Sequence, residues 1–552
     1  MKKVLNYSLI PVIALLLIVS VITIRCKKPT DGLSITVNTS TLFHYTALVQ
    51  VVDNSGRVPS GLSVEVTGPD AAAVYGLDGK KALTAPGGII VAAIHPKMEP
   101  TASHTLSFNL AITGDNYLPL IVPVTIAVDQ PTQTIKLPIL NLTVQTAGVA
   151  SASKTAAAVN GVVTTTTTVT TANIPGDPSK TSITLPAGTQ LQDANGNVIS
   201  ASSVKASVNT FAPSSAIDLF PGGQLASSNI VNEQGNVTSA VFLPAGFANI
   251  DMTAGGVAVK KFSSPITISM TLDPSFKDPK TGNTIAVGTA LAIYSYSTDT
   301  GQWKFEQNGT VTAGAGGTLV LSFQTTHLTE YMAGATLDLL TKFTINIAAP
   351  WYVKGTATNI KVSAAIPNGP SYNIFDQTFQ LDSLLKFVLD GKLPVPAAGS
   401  SIVFTFKSID DVVLGTATLS ASATSIDVTL TPPQQKPSVT LALSLDCRDA
   451  KQNAIIVAPD FYLLYKPAGA PAANYTVLGQ VQNGNITTNQ LDATTPYDFK
   501  AIFNSHSKEV LNHTIANDNT VGNSTVGYTS FNGKVVPERN KVDIKALCES
   551  LP

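Results

Sequence analysis

The sequence predicts an all-β protein: about four β-sandwich domains in series behind an N-terminal export signal. Three observations carry that expectation. Short apolar runs alternating with period two recur along most of the chain, the pattern of strands with one face buried. The 39 glycines and 34 prolines fall largely between those runs, where they make turns and oppose long helices. Only 12% of residues are charged, so Thr, Ser, Asn and Gln must supply the polar surface, a mixture that with Val and Ile suits exposed β faces. At 552 residues the chain exceeds what one core can organise.

Residues 1–25 read as a signal peptide. Lys2 and Lys3 precede a mostly apolar run, Leu9 to Ile24, and the polar Lys27-Lys28-Pro29 follows. The apolar core of about 15 residues is shorter than the ~20 a spanning helix needs. Cys26 directly ends it. The stretch Ile22–Cys26 resembles the lipobox of bacterial lipoproteins, with Arg25 where that family carries a small residue. The resemblance implies cleavage before Cys26, a diacylglycerol on its thiol, and a lipid-anchored protein of the cell envelope, in the outer membrane of a Gram-negative bacterium. An uncleaved N-terminal anchor is the other reading of the same residues. Residues 26–32 form a short tether.

With Cys26 lipidated, Cys447 and Cys548 are the two cysteines left. An even remainder in an oxidising compartment implies a disulfide between them, against two buried free thiols. Such a bond closes a loop of about 100 residues and contributes roughly 4–5 kcal/mol in the chain-entropy picture.

The first sandwich is expected over residues 33–142. Its strands are Leu33–Val37, Ala47–Val52, Leu62–Thr67, Ile89–Ile94, Leu106–Thr113 and Leu120–Val128, punctuated by turns such as Asp53–Gly56. The phrase Ala47–Gly68 resembles immunoglobulin-like or transthyretin-like modules of exported bacterial proteins. Residues 143–182 are rich in Thr and Ala, with five threonines at 164–168. They read either as a solvated linker or as an edge strand, since threonine favours strands.

The second domain is expected over 183–335. It opens with Ile183–Thr189 and the turn Asp193–Asn197, and carries a long strand at Ser264–Leu272. Tyr294–Trp303 is a hairpin whose aromatics should pack inward, and Thr326–Tyr331 closes the unit. The opening Leu-Pro-Ala-Gly at 185–188 and the closing Thr-His…Tyr at 326–331 resemble a ZU-type β-domain, which implies a binding or scaffold module without catalytic residues.

A third sandwich is expected over 336–431, with strands at Phe343–Ile347, Ile360–Ala364, Ile402–Phe406, Thr416–Leu419 and Ile426–Leu430. Its one helical candidate is Leu381–Leu389, with Asp382 as cap. The Pro-rich linker 432–437 leads to a fourth unit, 438–552, another sandwich of prealbumin-like type. Its strands are Val439–Cys447, Phe461–Tyr465, Tyr475–Val481, Tyr497–Phe503 and Val510–Ile515.

A net charge of −1 leaves no basic excess to neutralise phosphates, so nucleic acid is not an expected partner. None of the six histidines has the i, i+4 spacing of a helical zinc site, and neither a G-x-S-x-G elbow nor a phosphate loop occurs. No cofactor and no catalytic residue is assigned, and the chain is not expected to be an enzyme. Asp193, Asn195 and Asn197 alternate oxygens as part of a calcium loop does. They lack the distal Glu, because Val204 stands at position twelve, and the same residues make a β-turn with Gly196 at positive φ. Trp303, Trp351 and Tyr352 are the candidates for stacking on a ligand, against the alternative of core packing.

These readings converge on an exported, membrane-anchored lipoprotein acting as a structural, adhesive or protein-binding β-domain array at the cell envelope. Its partners would be the membrane, through the lipid, and envelope proteins or glycans. A glycan-binding accessory lipoprotein of a nutrient uptake system is one alternative. A hydrolase with a spatially assembled site is another.

Overall fold

Nearly every alternating run forms the strand it predicts. The computed structural model describes residues 35–38 and, apart from short internal stretches, 43–547. Cys26, the tether, most of the Pro-rich linker and Cys548 lie outside the described residues. Among the described residues the elements are strands joined by turns, with no helix beyond single 3-10 turns.

The first sandwich packs two sheets. One runs Val74–Tyr75, Ile89–Ile94, Thr46–Asp53 and Thr132–Ile139, the last parallel to its neighbour. The other is Ser63–Thr67, Leu106–Thr113 and Leu120–Ile126. Alternate residues Phe108, Leu110, Ile112, Val122, Val124 and Ile126 meet Val49, Val51, Ile90 and Ala92 in one dry core. This is the alternation of an antiparallel sheet with one wet face.

The Thr- and Ala-rich stretch is built into the central sheets. Val149–Val159 pairs along Ser203–Phe211, and Thr167–Thr170 pairs with Lys180–Leu185. The two strands lie near opposite ends of one sheet path, which runs Val162–Val163, Val149–Val159, Ser203–Phe211, Val237–Ala254, Glu330–Leu340, Ala290–Ser297, Gln302–Ala313, Leu319–His327, Lys261–Leu272, Lys180–Leu185 and Thr167–Thr170. The strand Gln302–Ala313 passes from one layer to the other, pairing first with Ala290–Ser297 and then with Leu319–His327. Between the layers lie Val204, Ala206, Val208, Ile250 and Met252 on one side and Ile183, Ile268, Met270, Leu321 and Phe323 on the other. The 18-residue strand Val237–Ala254 is the spine, paired with Ser203–Phe211 and Glu330–Leu340. Its second face joins an aromatic core of Phe211, Phe220, Phe242, Phe247, Tyr294, Tyr296 and Trp303.

That aromatic core continues into the third unit through Phe343, Ile345, Ile347, Phe404 and Phe406, with Phe343 stacked on Phe404 at 5.6 Å between centroids. Here one expectation is corrected. Residues 384–389 are not helical; they form the strand Leu384–Leu389, antiparallel to Phe343–Ala348 over six register pairs. The run Leu-Leu-Lys-Phe-Val-Leu is almost continuously apolar, so periodicity does not separate helix from strand, and the non-local partner decides.

The last unit holds a four-stranded sheet, Thr476–Val481, Phe461–Pro467, Pro496–Phe503 and His506–Thr514. Its outer face packs on the first unit. Leu48, Ile89 and Val91 interleave with Tyr462, Leu464, Tyr475, Val477 and Ile502. Hydrogen bonds cross this seam between the Thr46 and Tyr462 hydroxyls (2.6 Å) and from Gln50 Nε2 to the Tyr475 carbonyl (2.6 Å). The strand Ile35–Asn38 also pairs in parallel with Ala454–Ala458. The units follow one another along the chain, yet the first and last are packed together rather than held at opposite ends of a rod.

Candidate functional site

The central sandwich presents one hydroxyl-lined face whose rows carry a single charged side chain, Lys180. Its rows follow from register. Thr168, Thr184, Thr267 and Gln324 lie side by side across four strands, and so do Thr170, Ser182, Ser269 and Ser322. A third row holds Lys180, Thr271, Val320 and Thr312. The intervening Val169, Ile183, Ile268, Met270 and Phe323 point into the core, so the strand period of two places the hydroxyls outward. Thr168 and Thr184 share a hydrogen bond of 3.1 Å, and Ser269 and Ser322 one of 2.8 Å. Each hydroxyl donates one bond and accepts two, so the face retains capacity for a partner rich in amides or hydroxyls. Lys180 is the one titratable side chain in these rows, and the hydroxyl pairs Thr168–Thr184 and Ser269–Ser322 bond to each other rather than to a carboxylate or histidine.

The stacking candidates are placed differently. Trp303 is 2% exposed. Its ring lies against Phe220 (5.1 Å, stacked), Phe242 (4.7 Å) and Tyr296 (4.9 Å), so its faces are spent on the core and not on a ligand. Tyr352 is buried as well, and Trp351 is half-buried with its indole N–H donated to the Leu430 carbonyl at 2.9 Å. The inward packing expected of Tyr294, Tyr296 and Trp303 is what the hairpin does.

The Asp193–Asn197 loop closes on itself. Asp193 Oδ1 accepts the backbone N–H groups of Asn195 (2.9 Å) and Asn197 (2.8 Å), and Oδ2 accepts the Asn197 side-chain amide (3.1 Å). The Asn197 bonds hold the Asp193 carboxyl below the usual range, and Gly196 sits at φ +85°. Both carboxylate oxygens are used within the turn. Among the described residues no group of three or more His, Cys, Asp or Glu converges as a metal site would require. His44 faces Glu99 and His104 faces Asp70, while His327 faces Glu306, a carboxylate also held by Lys304 and Ser295. Cys447 lies in Val439–Arg448, whose parallel pairing with Lys541–Leu547 ends at Asp446 opposite Leu547, one residue short of Cys447.

One polar row, buried except at its Ser151 end, was not anticipated. Ser151, Asn209, Asn249, Glu330 and Tyr296 are register neighbours across five strands. Ser151 Oγ donates to Asn209 Oδ1 (2.7 Å), and Asn209 Nδ2 donates to Asn249 Oδ1 (3.0 Å). Glu330 is 2% exposed and its Oε2 has no hydrogen-bond partner among the described residues. Burial, with the Asp251 carboxyl nearby, pushes its pKa up to about 8. The sequence held one signal for this row, an asparagine inside each of two apolar strands, at Val208–Phe211 and Phe247–Ile250.

No protein-family model matches the chain, and no curated protein matches it. Among solved structures, the Bacillus anthracis TIE protein matches at 9% identity and TM-score 0.12, over 76% of this chain and 75% of that one. Two B repeat units of the collagen binding protein of Staphylococcus aureus match at 11% identity and TM-score 0.13, over 91% and 98%. BcpA, the major pilin subunit of Bacillus cereus, matches at 10% identity and TM-score 0.15, over 91% and 98%. At these scores the similarities carry no argument about this chain; the all-β assignment stands on its own strands and registers.

Proposed function

We propose that the chain is an exported, lipid-anchored protein of the cell envelope whose β-sandwich units present a binding face, in a structural or adhesive role. The lipid sits on Cys26, and the central unit, of ZU type, carries the face. The observation that supports this reading most is the array of hydroxyls on Thr168, Thr170, Ser182, Thr184, Thr267, Ser269 and Ser322, held in register over a dry core. A rigid sheet spends little conformational entropy on docking, and a face with Lys180 as the one charge in its rows favours a partner recognised by hydrogen bonding rather than by long-range steering. A disulfide between Cys447 and Cys548 belongs to the same proposal, as a staple of the C-terminal strand.

The test is an array of envelope and extracellular proteins and of glycans probed with the purified chain, beside the variants Thr168→Lys and Ser322→Lys, whose side chains are exposed. Exposed substitutions of this kind shift stability by about 0.5 kcal/mol or less. The expected result is retention by wild type of at least one partner whose binding both lysines weaken about tenfold or more, with thermal unfolding unchanged. A partner held equally by all three proteins would place adhesion elsewhere. Hydrolysis of an arrayed glycan would favour the enzyme alternative.

A further inference from the structure

We propose that Lys466 and Asp498 are joined by an amide bond that the last sandwich forms between its own side chains. This goes beyond the adhesive reading and does not depend on it. The two residues stand directly opposite each other in the antiparallel pair Phe461–Pro467 and Pro496–Phe503. Lys466 Nζ donates to Asp498 Oδ2, and the two side chains are only 7% and 6% exposed. Taking two charges out of water is costly. An amide in the same place carries no charge, so it relieves that cost.

The backbone around Asp498 is arranged for its carboxyl. The pairing of Pro496–Phe503 with His506–Thr514 shifts register between Tyr497 and Phe499, which leaves Asp498 at a bulge. Bulges re-aim side chains and recur beside reactive sites. Across the bulge Asn512 sits at φ +53°, a left-handed conformation that residues other than glycine seldom take. Its N–H donates to Asp498 Oδ1 at 2.7 Å. The Gly469 N–H, from the loop after Pro467, donates to the same carboxyl. Two backbone amides thus polarise the carbon that an amine would attack, the arrangement that stabilises a developing oxyanion. On the amine side the buried Tyr475 ring covers Lys466, with Nζ 5.2 Å from its centroid.

Before condensation the pair rests as ions. Burial raises the Asp498 carboxyl, but Lys466 and the Asn512 and Gly469 N–H groups outweigh it and hold the carboxyl below the ordinary range. Transfer of one proton from Nζ to Oδ2 gives a neutral amine beside a carboxylic acid, a form whose cost falls where water is excluded. The Nζ lone pair then adds to Cγ, and the carbonyl electron pair moves onto Oδ1, where the Asn512 N–H receives it. A proton passes from the nitrogen to the Oδ2 hydroxyl, the Cγ–Oδ2 bond breaks, and one water leaves. No oxidant, reductant or further reactant enters. Fixed neighbours react at very high effective concentration, and the bond forms once in the life of a chain, so a slow step suffices. The product ties together the two strands that present Tyr462, Leu464 and Ile502 to the first sandwich.

Peptide mapping of the reduced, membrane-extracted full chain by tandem mass spectrometry tests the bond. Trypsin releases residues 452–500 as one peptide, because Pro467 follows Lys466 and protects it from cleavage. The expected result is a peptide lighter than its calculated mass by one water, whose segments holding Lys466 and Asp498 stay joined after a second digestion with chymotrypsin. Lys466→Arg keeps the positive charge and removes the condensing amine, and its peptide should carry the full calculated mass. A wild-type peptide at full mass, with the two segments released separately, would overturn the proposal; this readout needs no variant to fold. A water lost equally from Lys466→Arg would overturn it too, since the loss would then lie elsewhere, as in ring closure at another aspartate.

Discussion

Glu330 gives the central sandwich a built-in dependence on pH. The side chain lies in the same row as Tyr296, and Tyr296 in turn lies opposite Trp303. Its folded-state pKa of about 8 is raised from an ordinary value of 4.5 by burial and by Asp251. A carboxyl with a raised folded pKa binds its proton more tightly when folded. Its contribution is therefore fully present below about pH 4.5 and is lost as pH rises toward 8. At about 1.4 kcal/mol per unit over three to four units, the loss approaches ~5 kcal/mol. Glu330→Gln keeps the shape and removes the charge. The variant should match wild type near pH 5 and exceed it by several kcal/mol at pH 8, a midpoint difference on the order of 10 °C for a domain of this size. Trp303 and Trp351 are the only tryptophans, so intrinsic fluorescence during thermal or urea unfolding at pH 5, 6.5 and 8 reads the transition. Wild-type midpoints that stay level from pH 5 to 8, or a variant that declines in parallel with wild type, would refute the assignment of Glu330 as the titrating group.

Trp303→Ala empties the centre of the aromatic core against Phe220, Phe242 and Tyr296, and should cost about 3–5 kcal/mol in urea unfolding. Two glycine substitutions separate steric clash from backbone strain. At Gly161 a Cβ would lie 2.0 Å from the Ile199 carbonyl oxygen, whereas at Gly188, also at positive φ, it meets nothing within 4 Å. Gly188→Ala should therefore cost only about 1–2 kcal/mol, and Gly161→Ala should lose soluble folded protein. Across the seam, Thr46→Val and Tyr462→Phe each strand the other's hydroxyl. Each single change should cost about 1–2 kcal/mol and the double change less than their sum, measured as a double-mutant cycle by chemical denaturation.

Strand positions were legible because each strand carries its own signal. Ile89–Ile94 and Leu106–Thr113 match their predicted bounds residue for residue, and the Tyr294–Trp303 hairpin turned its rings inward. What the sequence left open depends on partners far along the chain. Val149–Val159 alternates small residues, Ala and Ser, too weakly to distinguish a linker from a strand until Ser203–Phe211 lies beside it. Leu384–Leu389 read as helix because its apolar run has no clear period, and its partner strand Phe343–Ala348 lies far back in the chain, from Ala348 opposite Leu384 to Phe343 opposite Leu389. The seam between Leu48 and Tyr462 has no local signature at all, since an apolar residue on the outward face of a strand looks the same whether another domain covers it or not. The hydroxyl face was half legible. The threonines were visible, and their alignment into rows needed the register.

The most direct test of the central claim, an exported array held to a membrane by lipid at Cys26, is the intact mass of the membrane-extracted protein, taken after alkylation with and without reduction. The account predicts a chain beginning at Cys26 plus acyl chains, with Cys447 and Cys548 protected from alkylation until reduced. A mass beginning at Met1 without lipid would contradict it and leave the protein held by an uncleaved N-terminal segment.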